Sequence, residues 1–174
     1  TPGLMGDFPL PPDARIVFSS GGFNTWVDEE TLFQAVEAAM RQEPNFHFVC
    51  TGGAIEGHVN VIFERFQQRI ERSAFPGRYH FLGWLPHRQL LEAMQLAHVA
   101  VNCDLPVLEG ELGFRNRILG WLWAGMRVVS TLTSSPAWEL NQLGLVRGVP
   151  TRDWKQLAKA IAEEGQKGRH EDVK

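Results

Sequence analysis

Several stretches of the chain are apolar without alternation, notably "RIVFSS", "FHFVC", "RYHFLGWL", "HVAVNC" and "RVVSTL", with a weaker one in "GLVRGV". Between them, apolar positions recur at helical spacing. Leu32, Phe33, Val36, Ala39 and Met40 share a face in "DEETLFQAVEAAMRQ", with Asp28 as N-cap and acids in the first turn. Val59, Ile62, Phe63, Phe66 and Ile70 do the same through "VNVIFERFQQRIERS". Pro86 opens a helix over "HRQLLEAMQLA", and Trp154, Leu157 and Ile161 face inward from a closing helix, "DWKQLAKAIAEE". Strands that are apolar on both faces and alternate with helices predict a parallel sheet covered on both sides. The fold expected is therefore α/β, a Rossmann-like three-layer sandwich with about six strands.

The proline- and glycine-rich opening, residues 1–14, reads as a linker, residues 15–166 as the folded domain and residues 167–174 as a polar tail. A hydrophobic fraction of 44% with 21% charged residues excludes a disordered or fibrous class. No apolar run reaches the roughly 18 residues of a membrane span, and no signal peptide opens the sequence, so a cytoplasmic location, free or membrane-peripheral, is expected. The net charge of −3 makes nucleic acid a poor partner and confines any basic site to a local patch. Cys50 and Cys103 end apolar runs and belong to no CxxC pair, which reads as two reduced core thiols. The six histidines show no metal-ligand spacing, so no metal site is expected.

In doubly wound sheets, ligands bind beyond the carboxyl ends of the strands where strand order reverses. That edge would carry "GGFNTW", "TGG", "GWLPH" and residues 104–117. Gly21 and Gly22 suit close backbone approach to a phosphate, or simply a tight turn. Neither GxGxxG nor GxxxxGK[ST] is present. Arg115 and Arg117 stand at the mouth of the apolar run 118–126, where a helix dipole would favour acids. Two cations there ask for an anion, with Gly113 permitting its approach; the alternative is a salt bridge to Glu109 or Glu111. Trp121 would stack on Arg117, and Trp123 would belong to the core.

The segments "SSGGFNTWVDEETLFQAVEAAMRQEPNFHFVCTGG", "YHFLGWLPHRQLLEAMQLAHVAVN" and "LEGELGFRNRILGWLWAGMRVVST" together resemble the C-terminal, nucleotide-sugar-binding domain of GT-B-fold glycosyltransferases, of the group 1 or family four type. The resemblance covers roughly residues 15–163. It rests on Gly21, Gly22, Trp26 and Asp28, on Glu109 leading into Arg115 and Arg117, and on "AGMRVV" where Ala-Gly-x-Pro-Val-Val is usual.

The resemblance implies a donor site for a nucleoside-diphosphate sugar, with no tightly bound cofactor. Backbone around Leu82–Pro86, Leu85 included, would meet the base. Gly21, Gly22, Phe23, Asn24, Trp26, Gly53, Gly113 and Asn116 would surround the diphosphate. Glu109 would sit near the sugar, and Arg115 and Arg117 would compensate the leaving charge in place of a metal. An N-terminal acceptor-binding domain would be the missing partner, leaving this chain inactive alone. The sequence departs from the pattern at Gly120, where a ribose-gripping glutamate is usual, at Phe23 and Asn24, where basic residues are common, and at Arg127 for proline. Two other readings stand beside the first: a non-catalytic nucleotide-binding or interaction domain, and half of a sugar-nucleotide epimerase.

Overall fold

Each apolar run forms a strand, and all six pair in parallel in the order β3-β2-β1-β4-β5-β6. A computed structural model describes residues 10–58 and 60–169; residues 1–9, Val59 and 170–174 lie outside the described residues. The strands are β1 (Arg15–Gly22), β2 (Phe46–Gly53), β3 (Tyr79–Gly83), β4 (Val99–Asn102), β5 (Arg127–Thr131) and β6 (Arg147–Val149). The helices are α1 (Glu29–Gln42), α2 (Val61–Glu71), α3 (His87–Leu96), α4 (Leu108–Leu112), α5 (Asn116–Trp123), α6 (Ser135–Gln142) and α7 (Trp154–Gln166). The chain winds outward from β1 to β3, then returns to lay β4 against the other side of β1, so order reverses between β1 and β4.

Strand alternation sorts the core into two layers. Val17, Phe46, Phe48, Val99, Val101 and Val129 pack with α1, α2 and α7, where Phe66, Leu157 and Ile161 are fully enclosed. Ile16, Phe18, Val49, Ala100 and Val128 point the other way, onto Met94 of α3 and Ile118 and Trp121 of α5. Asp28 caps α1 as expected, its Oδ1 accepting from the Thr31 amide at 3.1 Å. Cys50 and Cys103 are free and buried, and burial pushes the Cys50 thiol up to about 12.

Four expectations change. A short helix not anticipated precedes the one the arginines open: α4 ends at Leu112, the chain is extended at Gly113 and Arg115, and α5 then begins. Trp123 is not core but 86% exposed, because five residues at 100° each carry it away from the Ile118–Trp121 face. Helix α6, capped by Ser134 with a proline in its first turn, was not anticipated. The boundaries also shift. Leu10, in the expected linker, packs on the second core layer, and Arg169, in the expected tail, donates to the carbonyls of Met94, Gln95, Ala97 and Ala124.

His98 joins β4 to β1 across the sheet end, its Nδ1 accepting from the Ile16 amide at 3.0 Å. Burial first, then Arg15 and Arg169, hold this imidazole below its ordinary 6.5. As pH falls, the unfolded chain therefore takes up the proton first, and stability present above about pH 6.5 is lost towards the lower folded value. The melting temperature should fall between pH 7.5 and 5.5, and fall less in His98→Asn. Equal slopes in the two proteins would transfer the effect to His47 and His80, which are also held low by burial.

Candidate functional site

At the carboxyl end of the sheet, the last residues of β1 and β2 meet almost in contact. Gly21 pairs with Gly52 and Gly22 with Gly53. A Cβ on Gly52, whose φ is +88°, would lie 2.6 Å from the Gly21 carbonyl oxygen, so only glycine permits this approach. The glycine pair thus closes a strand end. Ser20 and Gly21 of β1, with Thr51 and Gly52 of β2, form the floor of a cavity of about 940 Å³. Its walls are α3 and α5, which both start at this edge, with Trp84 and Leu85 at the rim and Leu90, Leu91, Met94, Leu119 and Gly120 facing one another across the space.

Arg117 enters this cavity from the first turn of α5. Its guanidinium lies over Gly21, 3.6 Å from where a Cβ would stand, and Nη1 donates to the Ser20 carbonyl at 2.8 Å. Among the described residues this is its one side-chain hydrogen bond, and no carboxylate pairs with it. Burial holds its proton affinity below the ordinary arginine value, partly countered by the charge of Asp104. A partly buried guanidinium with most of its donors unspent can donate hydrogen bonds to a ligand, an anion best of all. The N-cap position of α5 makes no side-chain hydrogen bond, leaving the first amides of the helix open as well.

Arg115 does not join it. Its Nε donates to Asp104 Oδ2 at 2.9 Å, with side-chain exposures of 12% and 2%, and its Nη2 donates to the Glu109 carbonyl. Its guanidinium also covers the Trp26 ring at 4.6 Å. Asp104 is in turn fixed to β5 through Thr131 and to Asn102. The expected pair of diphosphate arginines is therefore one structural and one available cation. The salt bridge weighed for them exists, but with Asp104 instead of Glu109 or Glu111.

Other expected site residues also move. Phe23 is buried between Phe63 and Phe66, with ring centroids 5.3 and 5.1 Å away, so it belongs to the core and not to a ligand loop. Gly22 and Gly53 lie beneath Ile55 and Phe63, where a Cβ would clash at 2.3 and 2.5 Å; their smallness serves packing, and Gly52 takes the place at the cavity. Gly113 makes room for the Arg115 side chain, 2.9 Å from its missing Cβ. Trp26 lies under Arg115, with no partner for its buried Nε1 among the described residues. Asn24 is half-buried in the loop after β1, and Asn116 and Glu109 are exposed, the latter on α4. Leu85 and Arg117 line the cavity. Trp121 does not stack on Arg117 but donates from Nε1 to Ser20 Oγ at 3.0 Å. Reading the sequence placed Gly52 and Trp84 only within the edge segments "TGG" and "GWLPH" and missed the apolar walls; the pattern Leu90-Leu91 with Met94 signalled a helix face but not that α5 leaves it partly uncovered.

Fold and site together define a doubly wound α/β domain with a crevice at its switch point that presents the Arg117 guanidinium. The profile of glycosyl transferases group 1 matches residues 14–164, and the chain belongs to that family. No curated protein matches it. Among solved structures, apo OtsA is similar in fold at a TM-score of 0.71 and 14% identity, covering 91% of this chain and 39% of OtsA. HepE of Anabaena in complex with UDP-glucose gives 0.70 and 19%, covering 86% and 38%. An E. coli trehalose-6-phosphate structure bound with UDP-2-fluoro glucose gives 0.69 and 16%, covering 91% and 40%. The chain thus spans roughly two fifths of each. Among the described residues no helix is long and apolar enough to cross a membrane, and no cluster of His, Cys, Asp or Glu is arranged to hold a metal.

The division between the two arginines is testable. Arg115→Ala leaves Asp104 buried and unpaired and should cost about 3 kcal/mol of stability, the scale for a broken buried pair. Arg117→Ala gives up one hydrogen bond to a carbonyl and should cost about 1 kcal/mol. Denaturant melts of the two variants check the order; equal losses would put Arg117 in the scaffold too.

Proposed function

We propose that this chain is the donor-binding half of a glycosyltransferase that moves a sugar from a nucleoside-diphosphate sugar to an acceptor, without a metal at the diphosphate. The observation that carries this reading is Arg117, a desolvated and unpaired guanidinium at the floor of a large cavity in a group 1 glycosyltransferase domain. Similar folds have been solved with UDP-glucose and UDP-2-fluoro glucose, which supports a nucleotide sugar as ligand here.

In this arrangement the diphosphate lies across Gly21 and Gly52, against Arg117 and the open amides of α5, Asn116 included. The nucleoside occupies the cavity beside Leu85, and the sugar projects towards Glu109 on α4. Negative charge grows on the diphosphate as the glycosidic bond breaks. Arg117 and the helix dipole therefore stabilise the transition state more than the bound donor, which is the role a divalent cation would otherwise fill. The acceptor and any further catalytic group come from a second domain, so the chain alone binds donor without turnover. Two free buried thiols fit a reducing, cytoplasmic setting.

A second reading, a domain that holds nucleotide without transferring sugar, is favoured by Gly120, which leaves the cavity wall beside Arg117 without a carboxylate. Turnover of donor by the chain joined to an acceptor-binding domain separates the two.

UDP at millimolar concentration should raise the melting temperature by mass action, equally with and without EDTA. Arg117→Ala should weaken binding by about 1.5–3 kcal/mol, the range for hydrogen bonds to charged groups, and Arg117→Lys should restore only part of it. Calorimetry reads both. Undiminished affinity in Arg117→Ala would remove the anion from this floor, and a magnesium-dependent shift would overturn the metal-free reading.

A further inference from the structure

The cavity's walls are built for apolar contact. Leu90, Leu91 and Met94 of α3 face Leu119 and Trp123 of α5, and the side chains at the rim stay apolar where they meet water: Leu91 is 41% exposed and Leu119 51%. Among the described residues no carboxylate lines the space. Gly120, three residues along α5 from Arg117, is a place in the wall from which a side chain could reach a group beside an anion on Arg117. A Cβ there would meet nothing closer than the Met94 methyl at 3.9 Å, and the backbone needs no positive φ, so the position is open by composition and not by steric demand. The polar side chains that remain in the wall outside the floor, His87 and Gln95, are exposed and lie at opposite ends of α3. A hydroxyl bonded to either exchanges one water bond for another and gains little.

We infer that the site holds the nucleoside of its ligand without a carboxylate for the ribose diol and is indifferent to that diol, so that 2′-deoxyribonucleoside diphosphates bind as well as the ribonucleotides. This rests on the nucleotide reading of the cavity. A vicinal diol is selected by an acceptor that can take two hydrogen bonds together, as a carboxylate does, and whose burial makes a missing hydroxyl costly. The cavity holds no such group. Selectivity instead follows the apolar surface of Leu91, Leu119 and Trp123 against the base and the face of the sugar, with the anion fixed by Arg117.

Titration calorimetry of the chain with UDP, dUDP and inorganic pyrophosphate tests this. UDP and dUDP should bind within about threefold of each other, and both well above pyrophosphate. Gly120→Glu places a carboxylate in the open position and should separate them, favouring UDP by roughly tenfold, the scale of one or two hydrogen bonds. Leu91→Asp, at a half-exposed position that folding tolerates, should weaken both nucleotides and leave pyrophosphate unchanged. UDP binding more than about tenfold tighter than dUDP in the unaltered protein would overturn the inference while leaving the nucleotide site intact. Pyrophosphate binding as tightly as UDP would also overturn it, since the cavity would then hold no nucleoside. Absence of binding by all three would overturn the nucleotide reading itself.

Discussion

The buried pair between Asp104 and Arg115 determines where Arg117, the guanidinium that lines the cavity, can stand. Asp104 follows β4 directly and is held to β5 through its backbone and Thr131, so its position is that of the sheet. Arg115 must reach back to it, and this forces the extended turn at Gly113 that separates α4 from α5. Helix α5 consequently starts at the sheet edge, and Arg117, in its first turn, falls over Gly21. Taking two charges out of water is expensive, and such a pair is weak evidence for stability. Its effect here is positional: it specifies which turn of the chain begins the helix.

The floor depends on a second constraint, the near-contact of β1 and β2 at Gly21 and Gly52. A Cβ on Gly52 would separate the strand ends, and at Gly21 the φ of +98° disfavours any residue but glycine. The loop beyond β1 is then tied across the switch point, with the Asp28 amide donating to the Cys103 carbonyl and the Leu105 amide to Trp26. Strands, loop and α5 are thereby registered to one another around a single cation, without any contact to a ligand being needed to organise them.

The layers of the fold were readable because a doubly covered parallel sheet leaves unbroken apolar runs, and all six runs became strands. The candidate site was readable only in outline. Arg115 and Arg117 look alike in sequence, and what separates them is a buried carboxylate eleven residues away, whose reach depends on the helix break at Gly113. Phe23 was assigned to the ligand loop through a family resemblance, although the aromatic face of α2 was the local signal that it would be drawn into the core. Trp123 failed for a different reason: in a uniformly apolar run the helical phase is set by where α5 starts, and that start is a tertiary fact. Gly52 and Gly53 look equivalent as well, yet one lines the cavity and the other lies under Phe63.

The contrast between floor and walls bears on how the site works. Arg117 sits between strand ends and an apolar cavity, so burial already disfavours its charged form, and Ser20 satisfies only part of its hydrogen-bonding capacity. Filling the cavity with a ligand displaces the remaining water and lowers the effective dielectric around the guanidinium, which strengthens its attraction for the anion held against it. An apolar pocket over an unpaired cation is therefore consistent with the proposed reading. In that reading the walls contribute contact area to a ligand, and Arg117, which no carboxylate pairs with among the described residues, contributes direction.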